Sequence, residues 1–456
     1  MMRRIELSLG ERLTEKDLSR SGGVDAEVLG VAARIVDDVR ARGDAAVKEY
    51  TANLDRARLD ELRVSQAELD VAVAAVGDEF SEAIAAAAGA IEDFHARTVP
   101  QSWFTTQEGG IFLGQKVTPI RRVGIYVPGG RAAYPSSVLM NAIPAQVAGV
   151  AEIAMVVPPA ADGSISPYVL AAAVEVGVDE IYKCGGAQAI AALAYGTETI
   201  PRVDKVTGPG NAYVTAAKKL VMGDVGIDML AGPSEVCVLA DESAVPEFVA
   251  IDLMAQAEHD PRASTYLVTI DPELPDAVEE ALRTLLAESP RGDITERALT
   301  DNGLIVVCPD IVAALDTVDL IAPEHLEIQM VEPFDVLGSI NNAGAIFLGR
   351  WTPESVGDYV AGPNHVLPTG GTARFSSPLS VDDFVKKSSV ISYSYEALEM
   401  DGPTVLAIAK AEGLYAHSRA VDLRLELMEQ DLAIEALLEE ELGLSEDDLG
   451  NEGGEN

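Results

Sequence analysis

The chain of 456 residues is too long for one ordinary core, and its composition, 48% hydrophobic and 23% charged, is that of a globular protein. Its 74 acidic against 33 basic residues give a formal net charge of −41, which would repel nucleic acid and anionic membranes and excludes both as predicted partners. The acidic excess is spread along the chain and predicts a halophilic, salt-adapted surface, with an acidic mesophilic enzyme as the alternative.

The composition also predicts a cytoplasmic protein. The basic residues of the N-terminal segment (1–6) are not followed by an apolar stretch, so no secretory signal is expected. No run of about 18 apolar residues occurs, which excludes a membrane span. Cys184, Cys237 and Cys308 are widely spaced and lie in apolar surroundings, so we expect reduced, buried thiols; zinc binding by these cysteines is the alternative.

Helices are predicted first, over residues 25–96, where apolar residues such as Val31, Ile35 and Val39 recur at helical spacing. From about residue 118, short apolar runs alternate with helical patterns that begin near residues 136, 167, 187, 212 and 246. This alternation predicts parallel sheets covered by helices, and two sheets rather than one. The predicted strands are 123–127, 153–157, 180–183, 236–239, 265–270, 304–307 and 345–348.

From about Asp383 the strand pattern is lost, and residues 403–417 and 420–442 are predicted to form two helices. We therefore predict an α/β fold of two Rossmann-like parallel-sheet domains with helices on both faces, a helical N-terminal segment and a helical C-terminal arm. The predicted boundaries are an N-terminal segment (1–24), a first α/β domain (25–122 with 234–380), a second Rossmann-like domain (123–233), the arm (381–442) and a disordered acidic tail (443–456).

Four of the five histidines lie beside carboxylates, amides or turn residues, which favours a polar site, although each alone is more often structural. In the predicted helix from Pro246 to His259, with Ser243 as its N-cap, Gln256 and His259 share the last turn. An imidazole and a carboxamide oxygen side by side can form part of a zinc site; a histidine stabilised by the helix dipole is the alternative.

Two further groups are candidates for proton transfer. Asp358 lies in a predicted loop after a strand, where α/β proteins place catalytic groups. The adjacent Glu324 and His325 offer a carboxylate and an imidazole near one reacting carbon, although such a dipeptide is common on surfaces.

Glycine-rich turns follow three predicted strands and precede helices, at Gly129-Gly130, Gly185-Gly186 and Gly208-Pro-Gly210. Such turns expose backbone N–H groups to phosphate. The full dinucleotide motif is absent, so taken alone these are more often plain tight turns.

Several long segments together resemble the histidinol dehydrogenase family, and the resemblance runs from about residue 5 to 430. They are GIYVPGGRAAYPSSVLMN (124–141), VTGPGNAYV (206–214), AGPSE (231–235), QAEHDP (256–261), APEHLE (322–327), SVGDYVAGPNHVLP (355–368) and AEGLYAH (411–417). The acidic surface and tail, which we associate with a haloarchaeal type, are the departures from an ordinary member.

The resemblance implies a zinc-dependent, four-electron oxidation of L-histidinol to L-histidine through L-histidinal with two NAD, the last step of histidine biosynthesis. It implies one zinc per subunit and a homodimer in which the C-terminal arms cross over, so that Glu412 and His417 complete the partner's site. The implied zinc ligands are Gln256, His259, Asp358 and His417. Glu324 and His325 would be the acid–base pair. Substrate contacts would come from Ser234, Gln256, His259, His325, Asp358, Glu412 and His417, and NAD would lie near Tyr126, Gln188 and Asn211.

Two rival interpretations remain. A zinc hydrolase would also use His, Asp and Glu around zinc, but it would not need the glycine turns or NAD. A catalytically silent zinc-binding homologue would be expected to lack Glu324 or His325, and both are present.

Overall fold

The computed structural model describes residues 2–18, 25–129 and 133–442. The first half contains β1 (Arg3–Glu6), α1 (Ala26–Arg42), α2 (Asp44–Tyr50), α3 (Gln66–Ala75), α4 (Asp78–Ala96), β2 (Trp103–Gln107), β3 (Ile111–Pro119), β4 (Arg122–Tyr126), α5 (Pro135–Val147), β5 (Glu152–Val157), α6 (Pro167–Glu175), β6 (Glu180–Lys183), α7 (Gly186–Tyr195), β7 (Lys205–Thr207), α8 (Ala212–Val221) and β8 (Gly226–Ile227).

The second half contains β9 (Glu235–Ala240), α9 (Pro246–Ala257), β10 (Ser264–Thr269), α10 (Leu274–Glu288), α11 (Gly292–Asn302), β11 (Gly303–Val307), α12 (Ile311–Ile321), β12 (His325–Gln329), α13 (Pro333–Leu337), β13 (Ala345–Leu348), α14 (Glu354–Tyr359), β14 (Val385–Ser392), α15 (Tyr395–Ala411) and α16 (Tyr415–Leu442). The predicted acidic tail (443–456), part of the predicted N-terminal segment (19–24) and Gly130 lie outside the described residues.

The chain divides into two compact units. The larger comprises the chain up to Val99 together with Pro119–Val385, and the smaller comprises Pro100–Thr118 together with the chain from Lys386 onward.

Two parallel sheets form the larger unit, as predicted. One sheet has the strand order β6-β5-β4-β7-β8, and we call it the glycine-turn sheet. The other has the order β1-β11-β10-β9-β12-β13, and we call it the acid–base sheet. Apart from the added β1, both wind outward from a central strand in one direction and then in the other. This is the doubly wound order of Rossmann-like folds, so the predicted fold class is confirmed.

Each sheet is buried on both faces because alternate side chains point to opposite sides. In β9, Val236 and Val238 belong to one core cluster, while Cys237 and Leu239 belong to the cluster on the opposite face. The glycine-turn sheet is likewise flanked by two apolar clusters. The three cysteines are buried and free, as predicted.

The smaller unit holds a three-stranded sheet in the order β14-β3-β2, followed by α15 packed on α16. The prediction that helical structure begins near Asp383 is wrong, since Val385–Ser392 form β14 on the edge of this sheet. The predicted helix over 403–417 begins eight residues earlier and contains Pro403 in its interior. It ends at Ala411, and Gly413 then takes a left-handed conformation before α16.

Candidate active site

The central strands of the acid–base sheet begin at a cluster of buried polar residues. β9 and β12 are parallel neighbours, and Glu235 and His325 are their first residues. The backbone N–H of Glu235 donates a hydrogen bond of 2.8 Å to Oε2 of Glu324, which directly precedes β12. Adjacent strand starts therefore fix the predicted acid–base pair at the amino edge of this sheet.

The His325 ring is buried, and its two nitrogens have different surroundings. Nδ1 lies 3.1 Å from the carbonyl oxygen of Glu235, which can accept its hydrogen, and 2.9 Å from one end of the Gln256 side-chain amide. Nε2 has no hydrogen-bond partner among the described residues and lies 4.0 Å from Oδ1 of Asp358. Burial, with the nearby imidazoles, lowers the pKa of His325 to about 3. The ring is therefore neutral near pH 7, and Nε2 is the atom available to a substrate.

Glu324 lies in an equally dry environment. Burial raises the pKa of its carboxyl group well above the ordinary value, with smaller contributions from Glu235 and Asp358, and the hydrogen bond from the Glu235 N–H partly opposes the shift. A carboxyl group with a raised pKa beside a neutral imidazole is suited to exchanging protons near neutral pH.

The end of α9 brings Gln256 and His259 to the same edge. Gln256 is buried in the last turn, and the exposed His259 lies two residues beyond the helix, where its N–H donates to the Gln256 carbonyl. The prediction that Ser243 caps this helix is wrong, because Val245 occupies that position and the Ser243 hydroxyl instead donates to Asp241.

Asp358 lies in the short helix α14 and not in the predicted loop. Nitrogen and oxygen atoms of His325, Glu354 and Asp358 lie within 4.8 Å of one another. Burial raises the pKa of Asp358 to about 6, while the nearby His259 lowers it. Burial raises the pKa of Glu354 well above its ordinary value, and the neighbouring carboxylates, Asp358 first, raise it further.

The structure adds three residues that sequence reasoning assigned no role: Glu235, Glu354 and His365. Two sequence signals were available. Glu235 is a glutamate at the start of an apolar strand, and Glu354 directly follows Pro353 at the start of a helix. His365 is one of the four histidines beside carboxylates, amides or turn residues, and its imidazole lowers the pKa of His325.

The remaining predicted substrate residues are placed differently. Ser234 is half-buried directly before β9. Glu412 follows α15 and His417 lies in the first turn of α16, and both are exposed residues of the smaller unit.

A second site is formed where the strands of the glycine-turn sheet end. The backbone N–H of Gly186 donates a hydrogen bond of 3.1 Å to the Tyr126 hydroxyl, and Gln188 follows, buried, in the first turn of α7. The side-chain oxygen of Gln188 has no partner among the described residues. Asn211 caps α8 by accepting hydrogen bonds from two backbone N–H groups.

The glycine turns converge at this edge. A Cβ atom on either Gly129 or Gly185 would meet Pro158, at 2.6 and 2.5 Å. Gly208 has a positive φ, and a Cβ there would lie 2.1 Å from the Tyr126 carbonyl oxygen. Only glycine permits this close approach of backbone segments, which leaves helix N-termini open toward a ligand.

A buried ion pair anchors the Gly208 turn. Lys218 and Asp228 are 2.6 Å apart and almost fully buried. The Lys218 ammonium also donates to the Gly208 carbonyl, and the Gly208 N–H donates to Asp228. The pair thus holds both backbone groups of the turn.

The two edges are connected through one segment of the larger unit. Nε2 of His365 lies 3.3 Å from the Ser136 hydroxyl in the first turn of α5, on the side of the glycine-turn sheet. The adjacent Asn364 donates to the carbonyl oxygen of Met140 in the same helix. Residues 364–365 therefore join the glycine-turn side to the neighbourhood of His325.

Histidinol dehydrogenase is the family whose sequence profile matches residues 18–425 of this chain. The chain belongs to the histidinol dehydrogenase family. The histidinol dehydrogenase of Geobacillus kaustophilus (strain HTA426) is 57% identical over 392 residues, 86% of this chain and 92% of that protein. The Bacillus subtilis (strain 168) enzyme is 54% identical over 86% of this chain and 91% of its own length.

A solved structure supports the family and the fold. The crystal structure of histidinol dehydrogenase from Elizabethkingia anophelis superposes with a TM-score of 0.88 at 38% identity, covering 94% of this chain and 99% of that one. The chain is therefore an NAD-dependent oxidoreductase of this family.

These relatives are bacterial, so they give no support to the predicted haloarchaeal type. Among the described residues, no helix is long and apolar enough to span a bilayer.

Proposed function

We propose that the chain oxidises L-histidinol to L-histidine through L-histidinal with two NAD, the last step of histidine biosynthesis. The observation that carries the proposal is the buried, neutral His325. Its Nε2 has no hydrogen-bond partner among the described residues and lies 4.0 Å from Asp358, and its Nδ1 lies 3.8 Å from the carboxyl group of Glu324.

The donor set fits a zinc ion. We assign as ligands Gln256, His259, Asp358 and His417, which are oxygen and nitrogen donors of the kinds that zinc accepts. Asp358 raises the pKa values of both Glu324 and Glu354, and Glu324 raises that of Glu354, so a divalent cation would offset the crowding of negative charge. When bound, zinc supplies a Lewis-acid centre that can hold the imidazole and amine of histidinol. No cysteine belongs to the metal-ligand cluster found in the described part of the chain.

In the first oxidation, His325 Nε2 accepts the hydroxyl proton while the carbinol carbon releases a hydride to NAD, which gives the aldehyde and NADH. In the second, water adds to the aldehyde carbon as Glu324 takes up a water proton and His325 returns its proton to the aldehyde oxygen. The resulting hydrate gives one hydroxyl proton to His325 and a second hydride to a second NAD, leaving the carboxylic acid. Each oxidation thus transfers two electrons, and the dry surroundings of His325 and Glu324 protect the reactive aldehyde from release.

We propose that NAD binds at the carboxyl edge of the glycine-turn sheet, near Tyr126, Gln188 and Asn211. The N-termini of α7 and α8 favour its phosphates, and the side-chain oxygen of Gln188, which has no partner among the described residues, can accept a hydrogen bond from it. Substrate contacts are assigned to Ser234, Gln256, His259, His325, Asp358, Glu412 and His417.

We further propose a homodimer in which Glu412 and His417 of one protomer complete the other's site. Both side chains are exposed within a single chain. The larger unit also exposes large aromatic side chains, Trp351 at 80% and Phe375 at 81%, as expected of a surface that a second copy covers.

The domain boundaries given above, a cytoplasmic location and adaptation to high salt are retained as proposals. The last rests on the net charge of −41.

The test is the number of NADH formed per L-histidinol in molar KCl, with and without a chelator. We expect two NADH per substrate, lost after chelation and restored by zinc. Folded, zinc-loaded protein that forms no NADH would overturn the proposal, and a stoichiometry of one would overturn the second oxidation.

A further inference from the structure

The buried carboxylate of Glu354 lies behind the Gln256 amide and takes part in none of the steps above. Glu354 is 4% exposed in the first turn of α14. One end of the Gln256 side-chain amide lies 3.3 and 3.2 Å from the two carboxyl oxygens of Glu354. A polar side chain this dry normally has a specific hydrogen-bond partner, and here that partner is the amide.

The surroundings of the amide decide which of its ends faces inward. Besides Glu354, this end of the amide lies 3.1 Å from the Glu235 carbonyl oxygen, which can only accept a hydrogen bond and also faces Nδ1 of His325. The nitrogen therefore belongs on this side, and the amide oxygen is directed the other way. An amide coordinates a metal through its oxygen, so this orientation leaves the amide oxygen of Gln256 available to a metal.

Glu354 is itself held by a chain of buried polar groups. Its backbone N–H donates a hydrogen bond of 2.9 Å to Oε1 of Glu327 in β12. Oε2 of Glu327 accepts a hydrogen bond of 3.0 Å from the Gln329 amide. The same Gln329 nitrogen donates 2.7 Å to Asp252 in α9. The chain thus begins and ends on α9, the helix that carries Gln256, and it passes through the strand that begins with His325.

We propose that Glu354 is a positioning residue that holds the Gln256 amide nitrogen and so presents the amide oxygen to the metal. The inference rests on the proposed assignment of Gln256 as a metal ligand. Fixing a ligand from behind is worth about 10- to 100-fold in metal affinity where such contacts have been removed.

Two substitutions separate positioning from packing. Glu354→Met keeps the length and apolar stem of the side chain but removes both acceptor oxygens, and we expect zinc affinity to fall about 10- to 100-fold. Glu354→Gln keeps one acceptor oxygen, so its affinity should lie between that of Glu354→Met and the wild type. Zinc affinity is measured on the full chain by competition with a chelating dye, which requires no turnover.

Controls make each outcome decisive. Glu247→Gln, in the exposed first turn of α9 at the end opposite Gln256, should bind zinc as the wild type does. The affinity for NAD should be unchanged in all variants, and thermal unfolding reports that they fold.

The inference is overturned if Glu354→Met binds zinc as tightly as the wild type, or if Glu354→Gln is no better than Glu354→Met. Gln256→Ala separates this from failure of the proposed function. If its zinc affinity falls while that of Glu354→Met does not, only the positioning role is lost. If Gln256→Ala binds zinc normally, the ligand assignment fails and the inference fails with it.

Discussion

The two parallel sheets share a doubly wound strand order but gather their candidate residues at opposite edges. In the glycine-turn sheet, Tyr126 and Gly208 lie where β4 and β7 end, the edge at which such sheets usually bind ligands. In the acid–base sheet, Glu235 and His325 lie where β9 and β12 begin. Strand order alone therefore does not identify the edge that carries the chemistry.

The electrostatics of the two edges explain the difference. Helices α7 and α8 begin at the glycine-turn edge, and helix N-termini attract phosphate. Helix α9 ends at the acid–base edge, and a helix C-terminus favours cations. The buried carboxyls of Glu324 and Glu354 add to this preference. This difference supports the proposal that an anionic dinucleotide binds at one edge and a metal with a cationic substrate at the other.

The largest expected effect comes from removing the proton acceptor at the acid–base edge. His325→Gln should lower kcat about 10²- to 10⁴-fold because the hydroxyl proton loses its acceptor. NAD affinity should not change, since the glycine-turn edge is untouched. Steady-state kinetics with NAD titration measure both quantities. A kcat within a few-fold of wild type would show that His325 is not the proton acceptor.

The glycine-turn edge is tested by Gly208→Ala, whose Cβ would meet the Tyr126 carbonyl. We expect the KM for NAD to rise about tenfold or more while zinc affinity is unchanged, because backbone strain of 1–3 kcal/mol corresponds to about that factor. Gly223→Ala is the matched control, since Gly223 has nearly the same φ with nothing within 4 Å. Loss of zinc affinity instead of NAD affinity would contradict the separation of the two edges.

A smaller, pH-dependent effect is expected for the buried pair of Glu327 and Asp252. Burial, and then the neighbouring Asp252, raise the pKa of Glu327 to about 9, so the folded state keeps a proton that the unfolded chain releases near pH 4.5. Its contribution to stability is complete below pH 4.5 and is lost as pH rises through 9, by about 1.4 kcal/mol per pH unit. Glu327→Gln carries no such proton.

The free energy of unfolding of Glu327→Gln should therefore rise relative to wild type between pH 5 and 9. Denaturant titrations at several pH values measure it, with Glu247→Gln as the exposed control. Parallel curves for wild type and Glu327→Gln would show that Glu327 does not hold the proton.

The smallest expected effect, counted per carboxylate, is that of salt on the stability contributed by the acidic surface. Molar KCl shortens the screening length to about 3 Å and should raise the thermal midpoint by reducing repulsion among exposed carboxylates. Comparing KCl with an equimolar neutral osmolyte isolates the charge effect. A midpoint independent of salt would contradict salt adaptation.

The sequence predicted the parts of this molecule whose patterns are local. The apolar strands and the helices that begin at Pro167, Ala212 and Pro246 were placed within a residue or two. Strand β12 was missed because its apolar residues alternate with the polar Glu327 and Gln329, which are also buried and are satisfied by distant partners such as Asp252. No local sequence pattern shows that distant residues will supply hydrogen bonds to these buried polar groups.

The same limit applies to the site. Glu324, His325 and Gln256 were singled out from the local sequence and given roles by the resemblance, but their meeting depends on β9 lying next to β12 and on the path of α9. Glu354 was not found because its proposed role follows from contacts between distant residues. Its side chain faces Gln256, which is 98 residues away in sequence, and its backbone N–H donates to Glu327. A residue such as Glu354 can be identified only from the packing of the helices and strands in the folded structure.

The most direct test of the division between the two edges is a zinc-edge anomalous difference map from crystals of the zinc-loaded enzyme. We predict one strong peak per subunit at the acid–base edge, about 2.0–2.2 Å from donor atoms of Gln256, His259 and Asp358. A peak at the glycine-turn edge, or one that touches none of these three residues, would contradict the account.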